Sequence, residues 1–392
     1  MPHLRLDSFT LPTLPQTKDE ITFVTAYKNS FDKPDWLIQA QYEDKHFFIW
    51  AKPTEDGYLL KAEKATRPAP NFYIQQALKT FSSLLDSNIL SSNIPPKLKR
   101  MHLESNQSVL KPIDYFAHEF KTDMKLSIEI GFGSGRHLLY QAKENPDTLY
   151  VGIEIHKPSI EQVIKQVAIQ ELDNVLLLDY DARIFMEFLA SNSVNQIFVH
   201  FPVPWDKKPG RRVISHAFIE EAVRVLDPKG TLELRTDSEN YFAYSLQTFL
   251  DAAKLDIHIK KNQDAPITSK YEDRWRKMEK NIYDIHMLGN ETSPELPKLQ
   301  SFAFEPINVK LETLEKLMGS TVKTDIGFIH FERFYQNSDG DNLLRISMGS
   351  FERPEHLYLK FDKNSISYFP HAPLGSSSNV SMHQKLQEVL NG

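Results

Sequence analysis

Three patterns of hydrophobic and polar positions follow one another along the 392-residue chain. From 21 to 65 apolar and polar residues alternate between turns, the period of half-buried strands. The alternation predicts strands over Ile21–Tyr27, Trp36–Tyr42, Phe47–Ala51 and Tyr58–Ala62, broken at Asp32-Lys33-Pro34-Asp35, Glu43-Asp44 and Glu55-Asp56-Gly57. Helical spacing of apolar residues follows over Phe72–Leu85. Ser87–Leu110, with Pro95-Pro96 and the cations Lys97, Lys99 and Arg100, reads as a linker.

The second pattern runs from 124 to 236. Short apolar runs end near Ile130, Ile155, Asp179, His200 and Thr236, and helical segments lie between them near 136–144, 157–171, 182–190 and 215–226. Strand–helix repetition with short connections predicts a parallel sheet covered on both faces, a doubly wound α/β fold. A turn at Asp227-Pro228-Lys229-Gly230, a helix over Glu239–Ala253 and strands near 256–260 and 281–288 complete it. After Asn290–Pro294 the third pattern is strand-rich over 300–370 and helical over Met382–Leu390. The expected organisation is a strand-rich α+β accessory segment with linker at 1–110, the α/β domain at 111–294 and a second strand-rich accessory segment at 295–392. Leu357–Leu390 repeats the strand, turn, strand, proline segment, helix order of Phe47–Phe81. That is a degenerate duplication, two halves of one accessory domain, or a coincidence of order.

Chemistry enters at the end of the first apolar run, which reads Ile-Glu-Ile-Gly-Phe-Gly-Ser-Gly over 128–135. Gly131, Gly133 and Gly135 allow a sharp turn and close approach of a ligand to the backbone. Glu154 follows Gly131 by 23 residues and ends the next strand, where a carboxylate can accept ribose hydroxyls. The spacing is G-x-G-x-G, and Glu129 precedes the first glycine. A carboxylate there suits an ammonium and a sulfonium and repels a pyrophosphate, which favours S-adenosylmethionine over NAD. Asp181 follows the third strand and can accept from the adenine amino group, with Asp179 as a competitor. After the fourth strand, Pro202 and Pro204 stiffen a corner. Trp205 and Asp206 follow, and Lys207, Lys208, Arg211 and Arg212 place four cations within six residues. At the carboxyl edge of an open sheet such cations suit phosphate contacts.

Composition narrows the class. Apolar content of 41% and charged content of 25% are globular values, and the length argues for more than one core. The absence of cysteine excludes disulfides and thiolate metal sites. Fourteen histidines lack ligand spacing, so no metal is expected. No apolar stretch is long enough to span a bilayer and the amino terminus lacks an apolar signal core, so a soluble, cytoplasmic protein is expected. A net charge of −6 does not mark a nucleic-acid binder, but phosphate binding needs only a local basic face.

Glu129–Gly135, Gly152-Ile153-Glu154, Asp181-Ala182, Phe201-Pro202-Val203-Pro204-Trp205-Asp206-Lys207-Lys208, Arg211-Arg212, Leu234-Arg235-Thr236-Asp237 and Thr268-Ser269-Lys270-Tyr271-Glu272 together resemble the ordered motifs of the tRNA (guanine-N7)-methyltransferases. The resemblance covers about residues 120–288. It implies a Rossmann-type methyltransferase that uses S-adenosylmethionine, takes tRNA as partner, and methylates N7 of the variable-loop guanosine at position 46. It implies cofactor contacts at Glu129, Glu154 and Asp181, and a substrate side at Asp237, Ser269, Lys270, Tyr271 and Glu272. The family's Phe-Pro-Asp-Pro-Trp motif carries Val203 in place of its aspartate here, so Asp206 or Asp237 is expected to stand in for that carboxylate. A methyltransferase of this fold acting on another RNA, a protein or a small molecule, and a non-catalytic RNA-binding protein, are the alternatives.

Overall fold

The structure, a computed structural model, describes all residues except 30–33, 69–70, 99–108, 252–254, 268–271, 274–276, 296–300, 306–308, 310, 352, 363–364 and 392. The chain forms two compact units: His102–Lys298, and Met1–Met101 together with Leu299–Gly392.

The His102–Lys298 unit is built on seven strands: β1 (Lys125–Ile130), β2 (Thr148–Ile153), β3 (Val175–Leu178), β4 (Val194–His200), β5 (Leu226–Thr236), β6 (Leu255–Lys261) and β7 (Tyr283–Gly289). They lie in the order β3-β2-β1-β4-β5-β7-β6. β1 to β5 are parallel, and β7 runs antiparallel between β5 and β6. Among the helices are α1 (Arg136–Glu144), α2 (Lys157–Ile169), α3 (His216–Val225) and α4 (Glu239–Leu250). This is the doubly wound α/β sheet that the apolar runs predict, and its boundaries fall within about two residues of them. The segment expected to be helical near 182–190 is one helical turn, Ala182–Phe185, followed by a 3-10 turn. The expected turn at 227–230 sits inside β5 as a bulge: Leu226 pairs with Val194 and Thr231 with Gln196, which loops the intervening residues out.

β1 and β2 carry almost no exposed positions because helices cover both faces. α1 and α2 bury Leu138, Leu139, Val163 and Val167 in one apolar cluster with Leu177 of β3 and Phe198 of β4. Strand order reverses between β1 and β4. The connections after β1 and β2 run one way across the sheet, and the connection after β3 crosses to the far side of β1. This reversal opens a crevice at the carboxyl ends of β1 and β4.

The strand-rich segments expected at 1–110 and 295–392 join in one unit, the reading in which they are two halves of one accessory domain. Head and tail belong to one sheet of twelve strands. Ile21–Asn29, Trp36–Tyr42, Lys45–Thr54 and Gly57–Ala62 form a meander followed by helix Asn71–Ser82; Phe328–Gln336, Asn342–Gly349, Pro354–Asp362 and Ser365–Phe369 form another, followed by helix Ser377–Asn391. The first strands of the two meanders pair antiparallel, Asn29 with Tyr335 and Lys28 with Gln336. Both strands carry a bulge after a phenylalanine, Phe23 and Phe331, and share the pattern Phe-x-x-x-Tyr-x-Asn. Each helix covers the apolar face of its own meander. Tyr27, Leu37 and Phe48 from the head pack against Tyr335, Leu343 and Tyr358 from the tail on the opposite face. Part of the expected linker is a strand, Ile89–Ser92, on the edge of His3–Leu6. Its four side chains are all exposed, so it shows no alternation, and Asn88 is fixed by two hydrogen bonds to Asp7.

Charges tie head to tail as well. Glu63 is buried and lies 3.0 Å from Arg345, which also meets Glu332 at 2.8 Å. Removing one partner of such a pair leaves an uncompensated charge in the interior. Glu63→Ala is therefore expected to destabilise this unit by about 3 kcal/mol in urea unfolding. A change below about 0.5 kcal/mol, the scale of an exposed pair, would contradict the structural role of the contact.

Candidate active site

Five connections meet at the carboxyl edge of the parallel sheet, and the sequence pattern places a chemically useful residue on each. After β1, Gly131, Gly133 and Gly135 all have φ between 52° and 71°, the left-handed region that glycine enters without strain. Gly135 closes the turn at the start of α1, and a Cβ there would sit 2.4 Å from a Val163 methyl carbon. Gly131 faces open space, so the loop backbone is accessible to a ligand.

The carboxylate after β2 is held against this loop. Glu154 Oε2 accepts from the Gly133 N–H at 3.0 Å, and Oε1 accepts from the N–H groups of Ile155 and His156 at 2.8 and 3.0 Å. Three backbone donors fix its orientation while the side chain stays partly exposed. Beside it Ile155 is 71% exposed, an apolar surface at the crevice. After β3, Asp181 caps the short helix and holds Arg183 through two further contacts of 3.0 and 2.7 Å. Arg183 also donates to the Gly210 carbonyl at 3.2 Å, which ties the third connection to the fourth. Asp179, two residues earlier, is exposed.

The connection after β4 is strained and braced. Phe201 and Trp205 have positive φ values of 50° and 46°, costly for aromatic residues. Arg212 holds the loop from behind: its Nε donates to the Pro204 carbonyl at 2.8 Å, its guanidinium lies 4.3 Å from the Tyr244 ring, and Asp206 is 3.4 Å away. Arg212 is only 9% exposed, so it braces the corner, a correction to its expected place among the phosphate-facing cations. Lys207, Lys208 and Arg211 are exposed, Arg211 lying 5.2 Å from the Trp205 ring. Val203 is 60% exposed, so nothing in the packing requires a valine there. After β5, Asp237 accepts from Lys280 at 2.7 Å.

Beneath the loop lies a buried run of alternating acids and bases. Glu129 Oε2 meets His137 Nδ1 at 2.8 Å, and the His137 ring packs 4.5 Å from that of His200. His200 meets Glu233 at 2.8 Å, and Arg235, in the same strand as Glu233, meets Glu272 at 2.8 Å and Asp284 at 3.0 Å. A cavity of about 100 Å³ separates His137, Gln141 and His200 from Arg235 and Glu272. Glu272 is 1% exposed, so it anchors Arg235, a correction to its expected place on the substrate side. Ser269, Lys270 and Tyr271 lie outside the described residues, as do Lys99 and Arg100. Burial alone would raise the Glu233 carboxyl, but His200 outweighs it and holds the group at about 2. Burial lifts the Asp284 carboxyl to about 6 against the pull of Arg235.

Sequence reasoning missed His137, Glu233, Arg183 and the internal role of Arg235. The available signal was Glu233 and Arg235 in an otherwise apolar strand, since charges in a buried strand must be paired. The donor set suits S-adenosylmethionine: an open glycine turn, a fixed carboxylate at ribose distance from it in sequence, and acids in place of phosphate-binding cations on the cofactor side.

A family model described as a methyltransferase matches residues 123–285. A tRNA (guanine-N(7)-)-methyltransferase of Wolinella succinogenes is 39% identical, with all of both chains covered. One of Campylobacter jejuni subsp. jejuni is 38% identical over all of this chain and 98% of its own. One of Helicobacter hepaticus is 37% identical over all of this chain and 99% of its own.

The buried run predicts a pH dependence. Burial lowers the basicity of His137, but Glu129 more than restores it, so the folded pKa lies above the ordinary 6.5. A raised pKa contributes stability that is complete below the unfolded value and lost as pH rises through the folded one. The stability advantage of the wild type over His137→Gln should therefore shrink between pH 6 and pH 9 in urea unfolding. An advantage that grows with pH would contradict the pairing.

Proposed function

The chain belongs to the tRNA (guanine-N7)-methyltransferase family, and we propose that the carboxyl edge of its parallel sheet binds S-adenosylmethionine and receives the variable-loop guanosine of a tRNA. The enzyme transfers a methyl group to N7 of a guanosine in tRNA. The observation that carries the assignment of the site is the convergence of Gly131, Glu154, Asp181, Val203 and Asp237 on successive connections at the strand-order reversal.

Bound there, S-adenosylmethionine would supply a methyl group on a sulfonium, with the neutral thioether as the leaving group. Glu154, already oriented by three N–H donors, accepts from the ribose. Glu129 and Asp181 are assigned to the ammonium and adenine ends, Glu129 with one oxygen held by His137 and Asp181 fixed by Arg183. Lys207, Lys208 and Arg211 meet the RNA backbone.

Guanine N7 carries a free lone pair at neutral pH, so the reaction needs no general base. As the new bond forms, positive charge moves onto the purine. Alignment of the two reactants supplies most of the acceleration, of order 7 kcal/mol in well-oriented systems. Asp237, held at the end of β5 by Lys280, is assigned to the guanine edge, where its charge offsets the developing cation. Val203 cannot accept a hydrogen bond, so its effect is a lower rate rather than a lost activity.

The test is methyl transfer to tRNA transcripts followed by nucleoside digestion. The reading expects label in 7-methylguanosine with an intact variable loop, and none when that guanosine is replaced by adenosine. Label retained after the replacement would overturn the assigned position. Asp237→Ala is expected to lower kcat by about 10²-fold with the Kd for S-adenosylmethionine unchanged. Full activity in that variant would exclude Asp237 from the guanine edge. Val203→Asp, at an exposed position, is expected to raise kcat; a fall would mean that the valine makes an apolar contact with substrate.

A further inference from the structure

The twelve-stranded sheet carries an unexplained cluster on its helix-free face. Ile49, Ala51, Leu60 and Ala62 point to the helix-covered core. Period two then sends Trp50, Lys52, Leu59 and Lys61 to the other face. Antiparallel register sets His3, Lys61 and Trp50 in one row across three strands, and Arg5, Leu59 and Lys52 in the next. Arg333 reaches the same place from the tail half. The Trp50 ring is the hub, with Lys61 Nζ at 4.5 Å, the Arg333 guanidinium at 5.2 Å and Lys52 Nζ at 5.6 Å from its centroid.

The hub is held in one orientation. Asp35, 2% exposed, accepts from the Trp50 indole N–H and from Arg333 at 3.1 Å. It offsets one of the cations. Glu63 is occupied with Arg345. Among the described residues, neither Lys52 nor Lys61 is ion-paired, and Arg5 and Lys52 are exposed. Burial and the neighbouring cations Lys52, Arg333 and Arg345 together push the Lys61 ammonium down, outweighing Glu63. A chain of net charge −6 thus concentrates uncompensated positive charge around one immobilised ring.

We propose that this face, formed by Lys52, Lys61 and Arg333 around Trp50 with Arg5 in the neighbouring row, is a second RNA contact that holds backbone phosphates of the tRNA substrate outside the methyl-transfer site. The inference rests on tRNA being the substrate. Charge complementarity selects the occupant: a fan of ammonium and guanidinium groups on a rigid base fits phosphodiester oxygens, and the polar rim around one aromatic ring does not fit an apolar partner. Such contacts add affinity and are independent of base sequence.

The experiment compares the full-length wild type with Arg5→Glu/Lys52→Glu, and with Arg5→Lys/Lys52→Arg, which keeps the charge. Dissociation constants for unmodified tRNA are measured at several salt concentrations, with thermal unfolding as a control. The expected result for the charge-reversed variant is a Kd for tRNA raised by about tenfold or more. The salt dependence of log Kd should weaken by about 0.7 to 0.9 for each lost contact. Its kcat at saturating tRNA and its Kd for S-adenosylmethionine should match the wild type, and the charge-keeping variant should retain tRNA affinity. Unchanged tRNA affinity and salt slope in the charge-reversed variant would overturn the proposal. Should the variant unfold, Lys61→Gln and Lys52→Ala serve as separate milder probes, read in the same way. Failure of the wild type itself to bind tRNA would instead overturn the reading on which the proposal rests.

Discussion

The reversal of strand order between β1 and β4 is the constraint on which the site depends. Parallel strands joined by right-handed crossovers put every β-to-α connection on the same edge of the sheet. At the reversal, neighbouring connections leave in opposite directions and cannot fill the space between them. The glycine turn after β1 and the braced corner after β4 border that space. Residues far apart in sequence, from Gly131 to Asp237, need no further device to meet there.

The buried run from Glu129 to Asp284 stiffens this arrangement from below. Its members sit on β1, α1, β4, β5 and β7 and, through Glu272, on the segment between β6 and β7, so each ion pair ties two parts of the domain together. Burying so many charges costs several kcal/mol per ion before pairing offsets it. Apolar side chains would hold the sheet as well or better. The polar solution instead holds Glu129 in place through His137 next to the glycine turn, and anchors Arg235 two residues before Asp237. The loop side of the site is organised in the same way, with Arg212 and Arg183 used as internal braces while Lys207 and Lys208 remain at the surface.

Periodicity made the α/β sheet legible, because short apolar runs separated by helical segments admit few other architectures. Glu154 was equally legible, since its distance from the glycines follows from one helix and one strand. The strand Ile89–Ser92 was hidden because an exposed edge needs no apolar pattern. The union of head and tail was only one of three readings of their shared element order, because pairing between Tyr335 and Asn29 spans most of the chain and leaves only the faint Phe-x-x-x-Tyr-x-Asn repeat. Arg212 was read as a phosphate contact and Glu272 as a substrate-side residue because a charge in sequence does not reveal its burial; only their partners, Pro204 and Arg235, decide it. Head and tail thus supply one sheet whose free face carries its own basic cluster, a surface that the linear order of the chain does not display.

The central claim is that the glycine turn and Glu154 form the S-adenosylmethionine site, with Glu154 preset by backbone donors. Calorimetric titration of the cofactor into wild-type protein and Glu154→Gln tests it directly. The account predicts one site per chain in the wild type and a Kd raised about tenfold to a hundredfold in the variant, the effect of weakening charge-assisted hydrogen bonds to the ribose. Equal affinity in the two folded proteins would contradict it and place the cofactor elsewhere.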